Sequence, residues 1–446
     1  MRIASFLALA AIAGAAPAYA QGAASVVAIK AGRLVDVQAE KVLTNQVILV
    51  SGKRITTVGP AASTPIPAGA SVIDLSDAIV APGFVDTHTH VTGDAQTSFY
   101  ESYNVSGPRE AIFGVMNARK TLLAGFTTIR NVGAGSFSDV ALRDGIERGD
   151  VMGPRVFASG PALGITGGHC DENNLAPEFD YQAQGVADGV DEVRKMVRRN
   201  IKYGADLIKY CGTGGVFSKG DTPGAPQYTF DEAKAIIDEA HSLGRTVAVH
   251  AHGAEGIKIA IRAGVDSIEH ASLVDDEGIR MAKKAGTVFS MDIYNTDYTQ
   301  AEGEKNGVPE EYLQKDRDIA DIQRENFRKA LKAGVKLSYG TDAGVYPNGD
   351  NAKQFAIMVR YGMTPMQAIV AATKTGAELL EREADFGAIA PGRFADIVAV
   401  RADPLADVTA LEHIEFVMKE GAVYLGQPAE CAAAPSSWPC EPAALR

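Results

Sequence analysis

The feature that most constrains the fold is a regular alternation of short apolar segments with amphipathic helical segments from Ile79 to Arg382. This alternation is typical of a parallel sheet whose strands are connected by helices. The predicted strands are Gly83–His90, Thr127–Val132, Val156–Ser159, Asp206–Cys211, Thr246–His252, Ser267–His270, Val288–Asp292 and Lys336–Asp342. Four predicted helices each precede a glycine, which ends a helix in the left-handed conformation. They are Pro108–Ala124, Val190–Tyr203, Phe230–Leu243 and Asp316–Ala333.

Eight strands alternating with helices over roughly 300 residues predict an α/β fold of the (β/α)8 TIM-like barrel type. The alternative is an open doubly wound sheet, but no glycine-rich phosphate-binding sequence follows the first strand. Short strands and turns at both ends of the chain predict a small β-sandwich domain formed from both ends. The predicted division is a signal peptide at 1–20, the N-terminal part of the β-domain at 21–78, the (β/α)8 barrel at 79–383, and the C-terminal part of the β-domain with a tail at 384–446.

The first residues resemble an export signal. Arg2 precedes the apolar run Ile3–Ala13, and Ala18-Tyr19-Ala20 has the small residues of a cleavage site, so Gln21 is the expected mature N-terminus. The alternative is a buried N-terminal core helix. We expect an exported protein, periplasmic or secreted, that has no membrane segment after cleavage of the signal.

The net charge of −12, with 43 basic and 55 acidic residues and no basic run, argues against nucleic acid as a partner. Cysteines fit an oxidising compartment only loosely. A disulfide between Cys431 and Cys440 would fix the C-terminal tail, whereas Cys170 and Cys211 are either buried thiols or a second disulfide.

Histidines at the ends of predicted strands indicate a metal site. His88 and His90 are two residues apart on one strand, so both imidazoles face the same side. His250 and His252 repeat this spacing, His270 ends the next strand, and Asp342 ends the eighth. A single histidine pair could be structural, but four strands agree, and barrel active sites lie at these strand ends.

Lys209 lies in an apolar strand, where an unpaired ammonium is costly. It is either paired with a carboxylate, such as Asp206 or Glu269, or deprotonated and converted by CO2 into a carbamate that can bridge two cations. The neighbouring histidines favour the carbamate.

The segment Ala81–His90 resembles the opening signature of the amidohydrolase superfamily. Further matches are Ala124–Thr128, the strand-four lysine, the histidines of strands five and six, Gly340–Asp342, Ala371–Thr373 and Phe386–Asp396. Thr166–His169, Ile208–Cys211 with Gly214–Val216, and His250–Gly253 are most similar to the branch of Xaa-Pro and Xaa-Arg/Lys dipeptidases and ochratoxin-type amidases, which is related to imidazolonepropionases.

The resemblance implies a role for each of these residues. His88 and His90 would bind one divalent metal ion, His250 and His270 would bind the other, and carboxylated Lys209 would bridge both. Asp342 would bind the first metal and act as acid and base, and His169 and His252 would contact the substrate. Zinc is the expected metal for such histidine-rich ligation, and relatives of this branch suggest a homo-oligomer.

These roles predict hydrolysis of the amide bond of a dipeptide or N-acyl amino acid by a metal-bridging hydroxide, with release of the C-terminal amino acid. In this scheme His169 is a candidate hydrogen-bond donor to the developing oxyanion. The alternatives are a cyclic-amide hydrolase similar to imidazolonepropionase or dihydroorotase, a mononuclear deaminase that would not need Lys209, and a non-catalytic scaffold on the same barrel.

Three weaker features leave their function open. The polar loop Phe217–Gly224 either closes over substrate or is a solvated connection, and Tyr210 and Arg130 either bind a substrate carboxylate or are structural.

Overall fold

The computed structural model describes residues 26–426 and the backbone of 441–442. The predicted signal peptide and the Cys431–Cys440 disulfide lie outside these residues. The strands are β1 Val26–Asp36, β2 Lys41–Ser51, β3 Arg54–Pro60, β4 Ser71–Pro82, β5 Phe84–Thr89, β6 Phe126–Asn131, β7 Arg155–Ala158, β8 Leu207–Cys211, β9 Thr246–Gly253, β10 Ser267–Leu273, β11 Val288–Ser290, β12 Leu337–Ser338, β13 Ile397–Val400, β14 Phe416–Lys419, β15 Ala422–Gly426 and β16 Glu441–Pro442.

Helices separate the strands of the middle region. They are α1 Phe99–Ser102, α2 Gly107–Leu123, α3 Ser138–Arg148, α4 Gly189–Lys202, α5 Phe230–Ser242, α6 Ala254–Ala263, α7 Asp276–Ala285, α8 Asn295–Glu302, α9 Glu310–Ala333, α10 Lys353–Arg360, α11 Pro365–Val370 and α12 Gly376–Leu379. The predicted helix Asp316–Ala333 begins earlier, at Glu310, because Pro309 precedes an acidic first turn that favours a helix start. Glycines after the four predicted helices all have positive φ, as expected for helix stops.

Each of the eight predicted central strands is present. They form two parallel sheets, β5-β6-β7 and β8-β9-β10-β11-β12. Backbone hydrogen bonds also connect these two sheets on both sides. The N–H of Thr87 in β5 donates to the carbonyl of Tyr339 after β12 at 2.7 Å, and the N–H of Leu163 after β7 donates to the carbonyl of Lys209 in β8 at 2.8 Å.

Strands from both ends of the chain join in one eight-stranded sheet, in the order β16-β15-β14-β13-β4-β1-β2-β3. Its apolar side chains, among them Ile29, Ile48, Val80 and Phe416, form a core cluster of their own. The strand β4 extends to Pro82 before the first central strand begins. The sandwich arrangement and the domain boundaries stay predictions.

The large central core lies between the parallel strands and their helices. Phe126, Phe289, Phe327 and Phe355 are all at most 1% exposed in it. Among the described residues, no helix combines the length and apolar character needed to cross a membrane. The central strands also carry buried polar side chains, such as His88 in β5 and His250 in β9.

Candidate active site

All eight residues predicted for the site line one cavity of about 650 Å³. This volume is in the range of small-molecule sites. The strands β5, β8, β9 and β10 carry five of these residues, and the loops after β5, β7 and β12 carry the other three. The residues are His88, His90, His169, Lys209, His250, His252, His270 and Asp342.

The first predicted ligand group is His88, His90 and Asp342. The Nε2 atoms of the two histidines lie 3.3 Å and 3.4 Å from Oδ1 of Asp342. Burial would raise the pKa of Asp342, but the adjacent imidazoles, His88 first, outweigh it and hold the pKa well below its usual range. The backbone of Asp342 has a φ of 59°, a left-handed conformation that is uncommon for a non-glycine residue and is frequent at functional sites.

The second group is His250, His252 and His270, whose ligand atoms lie within 4.8 Å of one another. The rings of His250 and His270 are 4.6 Å apart between centroids. His270 also has a positive φ, 69°, at an irregularity in the pairing of β10 with β9. Nε2 of His250 is buried without a hydrogen-bond partner, which is costly unless a ligand completes it.

Acceptors on the far side of two rings determine where their protons lie. Nδ1 of His90 donates to the carbonyl of Gly133 at 3.2 Å, and Nδ1 of His270 donates to Oδ1 of Asp292 at 2.8 Å. Nδ1 of His88 lies 3.0 Å from Oε2 of Glu269, an ion-pair distance. A proton on Nδ1 leaves the lone pair of Nε2 free to face the cavity, which is the form that binds a metal ion.

Lys209 is 3% exposed, and burial lowers its pKa to about 8. Both carboxylates that could have paired with it are engaged elsewhere. Asp206 binds Arg143 at 2.7 Å, and Glu269 binds Arg130 at 2.6 Å. No ion pair of Lys209 is found among residues 26–426. Lys209 is therefore a buried side chain without an ion pair, and it lines the same cavity as the ligand groups.

The two predicted substrate contacts are held by serine hydroxyls. Nδ1 of His252 lies 2.8 Å from Oγ of Ser272, and Nδ1 of His169 lies 2.8 Å from Oγ of Ser218. The ring of His169 stacks on that of His250 with 4.1 Å between centroids. Ser218 belongs to the loop whose function the sequence left open, and this loop therefore supports the site.

Two weaker sequence assignments are resolved by burial. Arg130 is 1% exposed and binds Glu269 below the cavity, so it is structural. Tyr210 is 1% exposed and is packed in the core, where burial raises the pKa of its hydroxyl beyond the usual range. Cys170 and Cys211, left open from sequence, form a disulfide with 5.9 Å between Cα atoms.

Sequence reasoning missed several supporting residues. Asp292 ends the seventh predicted strand, so its position at a strand end was an available signal. The sequence indicates Glu269 only as a possible partner for Lys209. No spacing signal marks Gly133, Ser218 or Ser272, because each acts through a loop or strand brought close only by the fold.

Known proteins match this chain over most of its length. A model of the amidohydrolase family matches residues 79–425. Ochratoxinase from Aspergillus niger is 33% identical over 429 residues, covering 90% of this chain and 87% of that protein. Imidazolonepropionase from Cutibacterium acnes is 28% identical over 375 residues, covering 81% of this chain and 85% of that protein. The crystal structure of a Xaa-Pro dipeptidase with bound methionine in the active site gives a TM-score of 0.86 at 38% identity, covering 90% of this chain and 100% of that chain.

Proposed function

The chain belongs to the amidohydrolase family, and on this basis we propose that it hydrolyses the amide bond of dipeptides or N-acyl amino acids and releases the C-terminal amino acid. One observation carries the proposal: a complete set of ligand side chains, with the buried Nε2 of His250 unpartnered, lines a cavity large enough for a dipeptide. The names of the relatives, an ochratoxinase and a Xaa-Pro dipeptidase, support an amide substrate. We also propose that the two parallel sheets close into one barrel, supported by the hydrogen bonds that connect them.

The donor set fits two divalent metal ions, with zinc favoured by the imidazoles. His88, His90 and Asp342 would hold one ion, His250 and His270 would hold the other, and a carbamate on Lys209 would bridge them. When bound, such a pair lowers the pKa of a coordinated water to near neutrality and polarises the scissile carbonyl. The unpaired Lys209 and the unpartnered His250 support this assignment.

In this proposal Asp342 would move a proton between the attacking water and the leaving amine. Its Oδ2 accepts a hydrogen bond from Asn295 at 3.3 Å, which fixes the carboxylate plane, while Oδ1 faces the histidines. A carboxylate held in this way can accept a proton and release it to the departing nitrogen within one turnover. His169 and His252, which line the same cavity, would contact the substrate.

The test measures bound metal together with a hydrolysis screen of dipeptides and N-acyl amino acids. About two metal ions per chain with release of C-terminal amino acids is the expected result. Lys209→Ala should lose metal and activity together, and short carboxylates should restore part of both. Asp342→Asn should lose turnover with most metal retained. Full activity of Lys209→Ala without added carboxylate would exclude the carbamate.

A second candidate is hydrolysis of a cyclic amide, which the imidazolonepropionase relative favours. The same cluster would serve this reaction. Metal binding without cleavage of any open-chain amide, together with turnover of a cyclic amide, would select it. Absence of metal and of turnover after reconstitution with zinc and bicarbonate would instead support the non-catalytic scaffold. We also propose that the protein is exported and forms a homo-oligomer.

A further inference from the structure

A hydrogen-bond chain outside the metal ligands ends on His169. Nδ1 of His169 lies 2.8 Å from Oγ of Ser218, and that hydroxyl donates to the carboxylate of Asp221, whose two oxygens lie 2.8 Å and 2.9 Å away. Ser218 is 4% exposed, and the side chain of Asp221 is 9% exposed. The chain is therefore shielded from water along most of its length.

The direction of the hydrogen bonds follows from the surroundings of Asp221. Three other donors face its carboxylate: the backbone N–H of Gly215 at 3.2 Å, Nε2 of Gln227 at 3.2 Å and Nζ of Lys315 at 3.3 Å. A carboxylate among donors acts only as an acceptor. The single hydrogen of the Ser218 hydroxyl therefore points to Asp221, and its oxygen is left to accept the proton of Nδ1 of His169.

The loop that carries this chain is fixed to the rest of the molecule. Nζ of Lys315, in α9, also donates to the carbonyl of Ser218 at 2.6 Å. The backbone N–H of His169 donates to Oε1 of Gln227 at 3.1 Å, so Gln227 contacts both His169 and Asp221. These contacts place the ring and its hydrogen-bond partner in one rigid unit.

We propose that Ser218 and Asp221 are positioning residues that hold His169 as the tautomer protonated on Nδ1, with the lone pair of Nε2 facing the cavity. No hydrogen-bond partner for this Nε2 is found within the described part of the chain. In this tautomer Nε2 accepts a hydrogen bond from an N–H of the substrate. His169 then cannot donate from Nε2 to the developing oxyanion, which is the role expected from the sequence. The substrate contact rests on the proposed amide hydrolysis, whereas the tautomer does not.

The tautomer is measured directly by long-range ¹⁵N–¹H NMR of the metal-loaded protein with labelled histidine. The His169 signals are identified as those missing from His169→Gln. We expect an unprotonated Nε2 in the wild type. A protonated Nε2 would overturn the proposal and restore the donor role. This measurement needs no substrate, so it still decides the proposal if the hydrolysis screen fails.

Kinetics then separate positioning from a general structural role. Ser218→Ala and Asp221→Asn should each lower kcat/KM by about 10- to 100-fold, the usual effect of losing a partner that orients a functional side chain. Ser218→Thr keeps the hydroxyl and should restore activity, and Lys219→Ala, exposed on the same loop, should match wild type.

The decisive comparison is made in the His169→Gln background. If Ser218 acts through His169, Ser218→Ala should have no further effect there, because coupled residues are not additive. An equal loss with and without His169 would overturn the proposal. Circular dichroism and bound metal should be unchanged in each variant, and should Ser218→Ala fail to fold, Asp221→Asn serves in the same cycle.

Discussion

Replacing Arg130 with methionine should destabilise the fold strongly, although Arg130 does not line the cavity. Its guanidinium lies 2.6 Å from Oε1 of Glu269, and the two side chains are 1% and 0% exposed. It also donates to Oγ of Ser267 at 2.9 Å and to the carbonyl of Thr87. Removing one partner of a buried pair leaves an uncompensated charge, which costs about 3–5 kcal/mol. We therefore expect Arg130→Met to lower the free energy of unfolding by about 4 kcal/mol.

A matched control comes from the surface of the same molecule. Arg33 and Asp403 are also 2.6 Å apart, but their side chains are 41% and 36% exposed. Arg33→Met should cost about 0–1 kcal/mol. The assay is urea unfolding of zinc-loaded protein at fixed zinc concentration, followed by fluorescence and circular dichroism. Equal losses in the two variants would refute the argument from burial. The double variant Arg130→Met, Glu269→Gln should be less destabilised than Arg130→Met, because no buried charge remains unpaired.

Four further predictions test other parts of the molecule. Replacing Cys170 and Cys211 with serine opens a loop of sequence separation 41, which should lower the free energy of unfolding by about 4 kcal/mol in the chain-entropy treatment, measured by urea unfolding. Burial lowers the pKa of Lys419 from 10.5 to about 8, so the unfolded chain binds this proton more tightly and stability should rise by about 3 kcal/mol between pH 8 and pH 10.5. Lys419→Met should remove that rise. The urea midpoints of wild type and variant should therefore differ by an amount that changes between pH 8 and pH 10.5. Among the described residues that line the cavity, Lys209 is the only lysine or arginine, while Glu110 adds a carboxylate. Dipeptides ending in lysine should therefore be cleaved faster than those ending in glutamate. Glu110→Gln should lower the ratio of these two cleavage rates by at most about fivefold. A chelator should lower the thermal midpoint, and zinc should restore it, because ligands that bind only the folded state stabilise it.

The central elements could be predicted because their signals are local. Each of the eight strands is a short apolar run bounded by helices, and glycines such as Gly125 and Gly334 mark helix ends through the left-handed conformation. The pairing of β13 with β4 could not be predicted in the same way, because it joins segments more than 300 residues apart. Only the similar pattern of short strands and turns at both ends of the chain indicates that these segments meet. The order and register of the sheet depend on tertiary packing.

The metal-ligand candidates could be predicted because two-residue spacing on a strand determines which side chains share a face. His88 and His90 follow that rule, and both line the cavity. His270 and Asp342 also reach it, but through a left-handed backbone conformation that the two-residue spacing rule does not predict. The sequence does not determine the partner of Lys209 for a related reason. The two candidate carboxylates, Asp206 and Glu269, bind Arg143 and Arg130, and these contacts form only in the folded chain.

The chemistry of the cluster depends on protons that the ligand spacing does not determine. An isolated imidazole interconverts between two tautomers, and only one of them presents Nε2 as a lone pair. The carbonyl of Gly133 selects this form for His90, and the carboxylate of Asp292 selects it for His270. The Ser218 hydroxyl makes the same selection for His169 in the proposal above. Imidazole lone pairs and carboxylate oxygens therefore converge in one cavity, an arrangement that suits cations and substrate N–H groups.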